Sequence, residues 1–199
     1  MAVAFAMTVA SGCVTSPAAR PAPFPVLDDE VDRQLAANDA LPWAADRKLI
    51  WSDFQGSAPG SGPEGALTAY SLFYGIRCSG QHFQFRVVAA FLPHESWVKP
   101  VVLSDAQKRV STLQHEQTHF DISEVYARRM RQRFSQVYNP CGTSKDALDG
   151  IAERYIKDEA AAQARYDDET RHGLTAAKQR QWDQDVKRML AEAVGVKGS

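Results

Sequence analysis

One stretch of the sequence constrains the fold more than any other, because nothing between residues 104 and 138 interrupts an α-helix. Ser104 and Gln107 form the S-x-x-Q pattern of a capping box, which predicts that the helix begins at Ser104. Residues 139–142, Asn-Pro-Cys-Gly, predict its end at about Tyr138. The sequence therefore predicts one long helix near the middle of the chain.

This predicted helix carries two histidines on one face. His115-Glu116-Gln117-Thr118-His119 is an H-E-x-x-H pattern. At about 100° per residue the histidines lie roughly 40° apart and one turn apart, so both imidazoles can reach one zinc ion. Glu116 projects roughly 60° beyond His119, where a carboxylate can act on a water molecule without binding the ion. The alternative is an ordinary packed helix in which both histidines are hydrogen-bonded.

A third zinc ligand has to come from another part of the chain, because a catalytic zinc ion has three protein ligands and keeps one position for water. The best candidates lie in residues 166–173. His172, which precedes a glycine, is the first choice, and Asp167 is the alternative third ligand, with Asp168 behind it. Either aspartate could instead orient a ligand histidine. Glutamate ligands remain possible at two further positions, Glu153 and Glu159.

The chain before the long helix has the pattern of strands and turns. Residues 83–91 alternate apolar and polar side chains, which predicts a half-buried strand that ends before Pro93. Residues 67–76 are rich in aromatic and β-branched residues and predict another strand. The segment 57–65 is rich in Gly, Pro and Ser and predicts a loop.

The chain after the long helix is again helical. A second helix is predicted from about residue 145 to His172, with Gly173 just past its end. A third begins near Thr175 and ends before Gly195. The predicted fold class is α+β, a small N-terminal β-sheet followed by three helices in one domain of residues 41–199.

The N-terminus resembles a bacterial export signal. Residues 1–13 are apolar or small throughout and too short to span a bilayer, and they end at Cys13 like a lipobox, the motif cut before a lipid-modified cysteine. Residues 14–40 follow as a tether and lead-in that is rich in Pro and Ala at its start. We expect an outer-membrane lipoprotein of the periplasm, or otherwise a secreted protein, that touches the membrane only through this lipid.

The remaining cysteines are Cys78 and Cys141, an even pair in an oxidising compartment. This favours a disulfide between them. Two buried thiols are the alternative.

The net charge of −1 gives no electrostatic reason to expect a nucleic-acid partner. A local group of arginines is interpreted as a solvated helix face balanced by nearby acids. We expect a monomer that meets a peptide or protein substrate in the cell envelope. The arginines of that group are Arg128, Arg129, Arg131 and Arg133.

Together, these motifs resemble a bacterial family described as predicted secreted zinc-dependent proteases. Three segments carry the resemblance: residues 51–56, residues 115–128 around the histidine pair, and residues 166–182 with Gln179 and Trp182. The resemblance implies a zincin-like fold with the H-E-x-x-H motif on the first long helix. It also implies a zinc metallopeptidase, a hydrolase in which Glu116 is the general base.

In such a hydrolase a second donor is expected to stabilise the oxyanion. Tyr166, Tyr126 or a non-ligating His172 could supply it, and the strand of residues 83–91 could be an edge on which an extended peptide lies. The alternative function is that of a non-catalytic envelope lipoprotein with a structural or vestigial zinc site.

Overall fold

Two ten-residue antiparallel strands, β3 (Tyr70–Ser79) and β4 (His82–Phe91), form the centre of the sheet. They are joined by a tight turn in which Gly80 has a positive φ of 59°, a conformation that glycine adopts without steric cost. The short strand β1 (Leu41–Pro42) pairs with the other side of β4, opposite Phe91 and Ala90. A second small sheet pairs β2 (Ala66–Leu67) with β5 (Trp97–Val98).

This architecture comes from a computed structural model that describes residues 27–192, with side chains from Glu30 onward. Its helices are α1 (Leu27–Ala37), α2 (Pro100–Leu103), α3 (Ala106–Ser135), α4 (Lys145–Thr170) and α5 (Ala176–Glu192). Short 3₁₀ helices occupy Trp51–Asp53 and Pro140–Gly142. The predicted α+β class is confirmed, with a small sheet followed by three long helices.

Helices cover both faces of the central sheet. On one face, Val31 and Leu35 of α1 pack on Ala90 of β4. On the other face, Met130 and Phe134 of α3 pack against β3 and β4. The end of β4 is therefore buried on both faces, which its alternating sequence alone does not indicate. Helix α1 lies where the sequence analysis placed only a tether and lead-in, and its apolar positions repeat every four residues as a packed helix requires.

The start of α3 differs from the prediction. Its N-cap is Asp105, whose side chain accepts hydrogen bonds from the backbone N–H groups of Gln107 and Lys108. Ser104 instead ends the short helix α2. The capping-box interpretation was wrong by one residue because an aspartate follows the serine and caps more strongly through its charge.

Helices α3, α4 and α5 pack together around a second apolar cluster. Ile122 and Val125 of α3 contact Tyr166 of α4 and Trp182 and Val186 of α5. Helix α4 ends two residues earlier than predicted, at Thr170. After the short α4–α5 turn, α5 runs alongside α3, with Gln179 next to His115 and Met189 next to Arg129.

The disulfide between Cys78 and Cys141 is confirmed, with a Cα–Cα distance of 5.6 Å. It joins the end of β3 to the connection between α3 and α4. The closed loop is long, so the bond should stabilise the fold by about 4 kcal/mol in the loop-entropy approximation.

Two further predictions concern the exposed edge of the sheet and the N-terminal export signal. The strand β4 lies in the middle of the three-stranded sheet, so the interpretation of residues 83–91 as a peptide-binding edge was wrong where β1 covers Ala90 and Phe91. The signal segment and Cys13 lie outside the described residues. Within residues 27–192, no helix combines the length and the apolar character needed to cross a membrane.

Candidate metal centre

The candidate centre lies on the face of α3 that α4 and α5 cover. His115 and His119 are 5% and 8% exposed, because the α3–α4–α5 cluster closes over them. Their rings stand almost perpendicular, with centroids 4.7 Å apart. The ring of Tyr166, which is fully buried on α4, stacks on His115 and meets His119 edge-on. These contacts fix the direction in which both imidazoles point.

Three potential ligand atoms converge at one point. His115 Nε2 and His119 Nε2 lie 3.1 Å apart, and each is 3.1 Å from Asp167 Oδ1. Among the residues described, these three form the group of metal-ligating side chains whose donor atoms lie within 4.8 Å of one another. Asp167 reaches the histidines because the last turn of α4 lies directly over the middle of α3.

A glutamine on α4 orients His119. Gln163 Oε1 lies 2.7 Å from His119 Nδ1. The amide nitrogen of Gln163 donates to the backbone carbonyl of His119 at 3.0 Å and to Glu159 Oε1 at 3.1 Å, and Ser123 also donates to Glu159. Carbonyl and carboxylate oxygens only accept here, so the amide of Gln163 has one possible orientation, with its oxygen towards the histidine.

A glutamine on α5 orients His115 in the same way. Gln179 Oε1 lies 3.1 Å from His115 Nδ1, and its amide nitrogen donates to Asp183 Oδ1 at 2.8 Å. The hydroxyl of Thr118 donates to the same carboxylate oxygen, and that of Tyr166 donates to Gln179 Oε1 at 2.8 Å. The Asp183 carboxylate therefore determines the orientation of the Gln179 amide.

These two glutamines decide the tautomer of both histidines. Each Nδ1 faces an amide oxygen and must donate, so each Nε2 carries a lone pair. Two lone pairs and the Asp167 carboxylate then converge in a buried place, which is unfavourable unless a proton or a cation lies between them. Histidines whose other ring nitrogen donates to a fixed acceptor are typical zinc ligands.

The spacing of these atoms fits zinc. With all three sides of the triangle at 3.1 Å, its centre lies about 1.8 Å from each atom. This spacing is close to the roughly 2.0–2.2 Å that zinc prefers for nitrogen and carboxylate ligands, so the three atoms could hold the ion together.

The pKa shifts of Asp167 and His119 reflect how close the two side chains lie. Burial disfavours the ionised form of Asp167, but hydrogen bonds from His115 and His119 outweigh burial and hold its pKa well below the usual range. Burial opposes protonation of His119, yet the hydrogen bond to Asp167 and the charge of Glu116 raise its pKa above the ordinary value. Asp167 and His119 therefore stabilise each other's charged form.

Glu116 lies next to the ligands and is only 4% exposed. In the described part of the chain, no hydrogen bond reaches its carboxylate, and Asp149 Oδ1 is the sole fully buried side-chain oxygen without a partner. The Glu116 carboxylate therefore keeps some contact with solvent. Its backbone carbonyl accepts a hydrogen bond from Thr68 at 3.3 Å, which ties this turn of α3 to the segment before β3. Glu116 is thus available to hold a water molecule beside the candidate ligands.

The other predicted ligand, His172, lies on the outside of this group. Its side chain is 66% exposed, and its Nδ1 lies 3.5 Å from Asp167 Oδ1. Asp168 is exposed and Glu153 is exposed, whereas Glu159 is buried and bonded to Ser123 and Gln163. The geometry favours Asp167 over His172 as the third ligand, and the assignment itself stays a prediction.

The turn after α4 lies in close contact with His115 of the candidate centre. Arg171, His172 and Gly173 all have positive φ, of 53°, 53° and 79°. A Cβ atom on Gly173 would lie 3.1 Å from the His115 ring, closer than ordinary contact. Left-handed backbone at two non-glycine residues is strained, and such strain tends to occur at functional sites.

Two predicted oxyanion donors have other partners. The hydroxyl of Tyr166 is buried against Gln179, and burial raises the pKa of Tyr166. Tyr126 packs between the two apolar clusters, with the Arg129 guanidinium 4.9 Å from its ring centroid.

A groove of about 830 Å³ lies on the opposite face of α3, not at the histidines. Its apolar walls include Ile50, Trp51, Val110 and Leu113. Leu113 and His115 are about 200° apart around the helix, so this groove and the candidate centre do not coincide.

No role in orienting the histidines was assigned to Gln163, Gln179 or Asp183 in the sequence analysis. Glu159, Gln163 and Asp167 repeat every four residues on α4, as Gln179 and Asp183 do on α5. A polar stripe at helical spacing, on helices that otherwise pack apolar faces, is the signal that could have revealed them.

The comparison with protein families adds one finding. Residues 65–173, more than half of the chain, match the family described as "Bacterial protein of unknown function (DUF922)". The matched range includes both histidines, Glu116, Gln163 and Asp167, while Gln179 lies beyond it. No curated protein and no solved structure matches the chain. The chain belongs to this bacterial DUF922 family.

Proposed function

We propose that this protein is a zinc-dependent metallopeptidase of the bacterial cell envelope. His115, His119 and Asp167 hold the ion, and His172 supports Asp167 from outside. The observation that carries the proposal is the convergence of two Nε2 lone pairs and one carboxylate oxygen, each 3.1 Å from the others. Beside them lies the Glu116 carboxylate, which has no hydrogen-bond partner among residues 27–192. Two lone pairs and a carboxylate form the ligand set of catalytic rather than structural zinc sites.

Zinc held by His115, His119 and Asp167 would supply Lewis acidity, which lowers the pKa of a bound water molecule and polarises a substrate carbonyl. Glu116 accepts the proton of the attacking water and then delivers it to the leaving amine. Gln163 and Gln179 keep both imidazoles in the tautomer that can bind the ion. Tyr166 and Trp182 exclude water from the buried side of the site, which strengthens the electrostatic interactions there.

Two features support the peptidase and envelope assignments. The three segments that resemble secreted zinc-dependent proteases include the ligands and Glu116. The disulfide between Cys78 and Cys141 is typical of an oxidising compartment. The proposal therefore includes export, with Cys13 as the lipid-modified residue of an outer-membrane lipoprotein or with secretion from the cell.

The test measures zinc per chain by elemental analysis and hydrolysis of a mixed peptide pool by mass spectrometry. The full chain is compared with Glu116→Gln, Asp167→Ala and His172→Ala. We expect about one zinc ion per wild-type chain, loss of zinc in Asp167→Ala, and retention in His172→Ala. Glu116→Gln should keep the zinc and lose hydrolysis, because it removes the base and leaves the ligands unchanged.

Two outcomes separate this proposal from its rival. Zinc bound by a wild-type chain that cleaves nothing in the pool would favour a non-catalytic lipoprotein with a structural or vestigial site. Absence of zinc after metal supplementation of the folded chain would exclude both.

A further inference from the structure

Tyr70 lies on the side of the sheet that faces the candidate centre. The hydroxyl of Thr68 donates to the Glu116 backbone carbonyl, and Leu72 belongs to the core cluster that contains Ala127. Side chains at alternate positions of an extended segment share one face, so Tyr70 points to the same side as Thr68 and Leu72. Its ring is therefore directed at the stretch of α3 between Glu116 and Ala127, where His119 lies.

The Tyr70 hydroxyl has no hydrogen-bond partner among residues 27–192, although the residue is partly buried. Burial raises the pKa of Tyr70, and the negative charges of Glu159 and Asp167 raise it further. Those two acids lie on the α4 face that covers the histidines. The hydroxyl thus stays protonated, lies within electrostatic range of Asp167, and is available as a donor.

The other tyrosines near the centre do not have this freedom. Tyr166 gives its hydroxyl proton to Gln179, and Tyr126 is packed beneath Arg129. Tyr74, four residues further along the same face of β3, is directed to Asp149 at the other end of α4. Only Tyr70 combines the direction towards α3 with an uncommitted hydroxyl among these four.

We propose that Tyr70 is a catalytic residue that donates a hydrogen bond to the carbonyl oxygen of the bound peptide as negative charge develops there. This inference rests on the proposed metallopeptidase function. The water oxygen bonds to the carbonyl carbon, the carbon–nitrogen bond breaks, and the proton passes through Glu116 to the leaving nitrogen. Tyr70 keeps its own proton throughout, so it stabilises the oxyanion without taking part in proton transfer.

The test uses a small tetrahedral anion, so it does not depend on knowing the substrate. The full chain is loaded with Co²⁺ in place of zinc, and inorganic phosphate is titrated while the visible absorption of the cobalt is followed. Tyr70→Phe removes only the hydroxyl. Tyr74→Phe is the matched control, because it removes a hydroxyl from the same strand face far from the ligands.

We expect wild type and both variants to bind one cobalt ion per chain. Phosphate should bind Tyr70→Phe roughly 10- to 100-fold more weakly, the effect of losing one hydrogen bond to a charged acceptor. Tyr74→Phe should bind phosphate like wild type. With a peptide that the wild type cleaves, Tyr70→Phe should lower kcat and leave KM nearly unchanged, because the bond forms in the transition state.

Each other outcome overturns a defined part of this inference. Equal phosphate affinity in wild type and Tyr70→Phe rejects the role of Tyr70 and leaves the metallopeptidase proposal intact. Loss of cobalt binding in Tyr70→Phe shows that the residue maintains the site and does not act on substrate. A wild-type chain that takes up no cobalt, or whose cobalt binds no phosphate, rejects the proposed function and the role of Tyr70 with it.

Discussion

The two halves of α3 both bury polar side chains, but they balance charge differently. In the C-terminal half, Glu124 accepts hydrogen bonds from Arg128 at 2.7 Å and from Arg131 at 2.6 Å. Each arginine also donates to a backbone carbonyl, of Leu190 and Val87 respectively. At the N-terminal half, His115 and His119 converge with Asp167 of α4, and no lysine or arginine among residues 27–192 forms an ion pair with that carboxylate.

This difference separates a structural network from a binding site. The C-terminal network is satisfied by the protein itself and needs nothing from solution. With both imidazoles neutral, the N-terminal group consists of acceptors that face one another, because each Nδ1 donates to a glutamine and each Nε2 carries a lone pair. A group of buried acceptors without a neighbouring cation can bind a metal ion. Four predictions test this difference between the two halves of α3.

The largest effect is expected from Glu124→Ala. It leaves Arg128 and Arg131 without their anion in a mostly buried place, which should lower the free energy of unfolding by about 3–5 kcal/mol. Denaturant unfolding measures this loss. Zinc per folded chain should not change, since the network is separate from the ligands.

The matched control for that substitution is Glu192→Ala, whose ion pair with Arg188 is exposed. It should change stability by less than about 0.5 kcal/mol. A Glu124→Ala chain that folds as stably as wild type would remove the contrast between the two halves of the helix.

Zinc should stabilise the wild-type chain through the N-terminal half alone. At a free concentration about 100 times its dissociation constant, the ion adds about 2.7 kcal/mol to the free energy of unfolding. Thermal unfolding with zinc and with a chelator measures this difference. Asp167→Ala should lose the zinc-dependent shift, because it removes one of the three proposed ligands.

His94→Ala is the control for the zinc experiment, because His94 is an exposed histidine that pairs with Asp39, away from the candidate ligands. It should retain the full zinc-dependent shift. If His94→Ala lost the shift and Asp167→Ala kept it, the ion would bind elsewhere.

The glutamines should matter less than the ligands they orient. Gln163→Leu and Gln179→Leu each remove the acceptor that fixes one imidazole, so zinc affinity should fall about 10- to 100-fold. Competition with a chromogenic chelator measures the affinity. Gln184→Leu, an exposed change on α5, should leave it unchanged. Equal affinity in all three variants would show that the histidines are oriented by packing on Tyr166 alone.

The sequence predicted the parts of the site that lie within one helix. His115, Glu116 and His119 are related by helical geometry, so their relative positions follow once α3 forms. The position of Asp167 depends on how the end of α4 lies over α3, and that of Gln179 depends on the turn at residues 171–175. The distances of these two residues from the histidines cannot be read from sequence spacing, because both distances result from packing between helices.

The arginines in the C-terminal half of α3 also have contacts that the sequence pattern did not predict. Arg128 and Arg131 were interpreted as part of a solvated face, yet they are 14% and 20% exposed and bind Glu124. Arg128 also stacks on Trp43, 5.1 Å from its ring centroid. The charge pattern of the helix contains Glu124, the acid that balances both arginines, but it does not contain the backbone carbonyls of Val87 and Leu190 that they also bind.

The smallest expected effect is a difference in pH dependence between the metal-free and zinc-loaded chains. The pKa of Asp167 is lowered from 3.8, so its contribution to stability is present above that value and is lost as pH falls through the lower, folded-state pKa. The pKa of His119 is raised from 6.5, so its contribution is present below 6.5 and is lost as pH rises through the folded-state pKa. The metal-free pair therefore contributes most between about pH 4 and 6.5 and less above that range.

Zinc should reverse the dependence of stability on pH above about pH 6.5. Protons compete with the ion for His119, so zinc binds more tightly as pH rises and its stabilising effect grows where that of the metal-free pair declines. Denaturant unfolding at several pH values, with zinc and with a chelator, measures both profiles. The two should diverge above about pH 6.5 in wild type and run parallel in Asp167→Ala. Parallel profiles in the wild type would mean that the convergent acceptors of α3 are neutralised by protons and not by a metal ion.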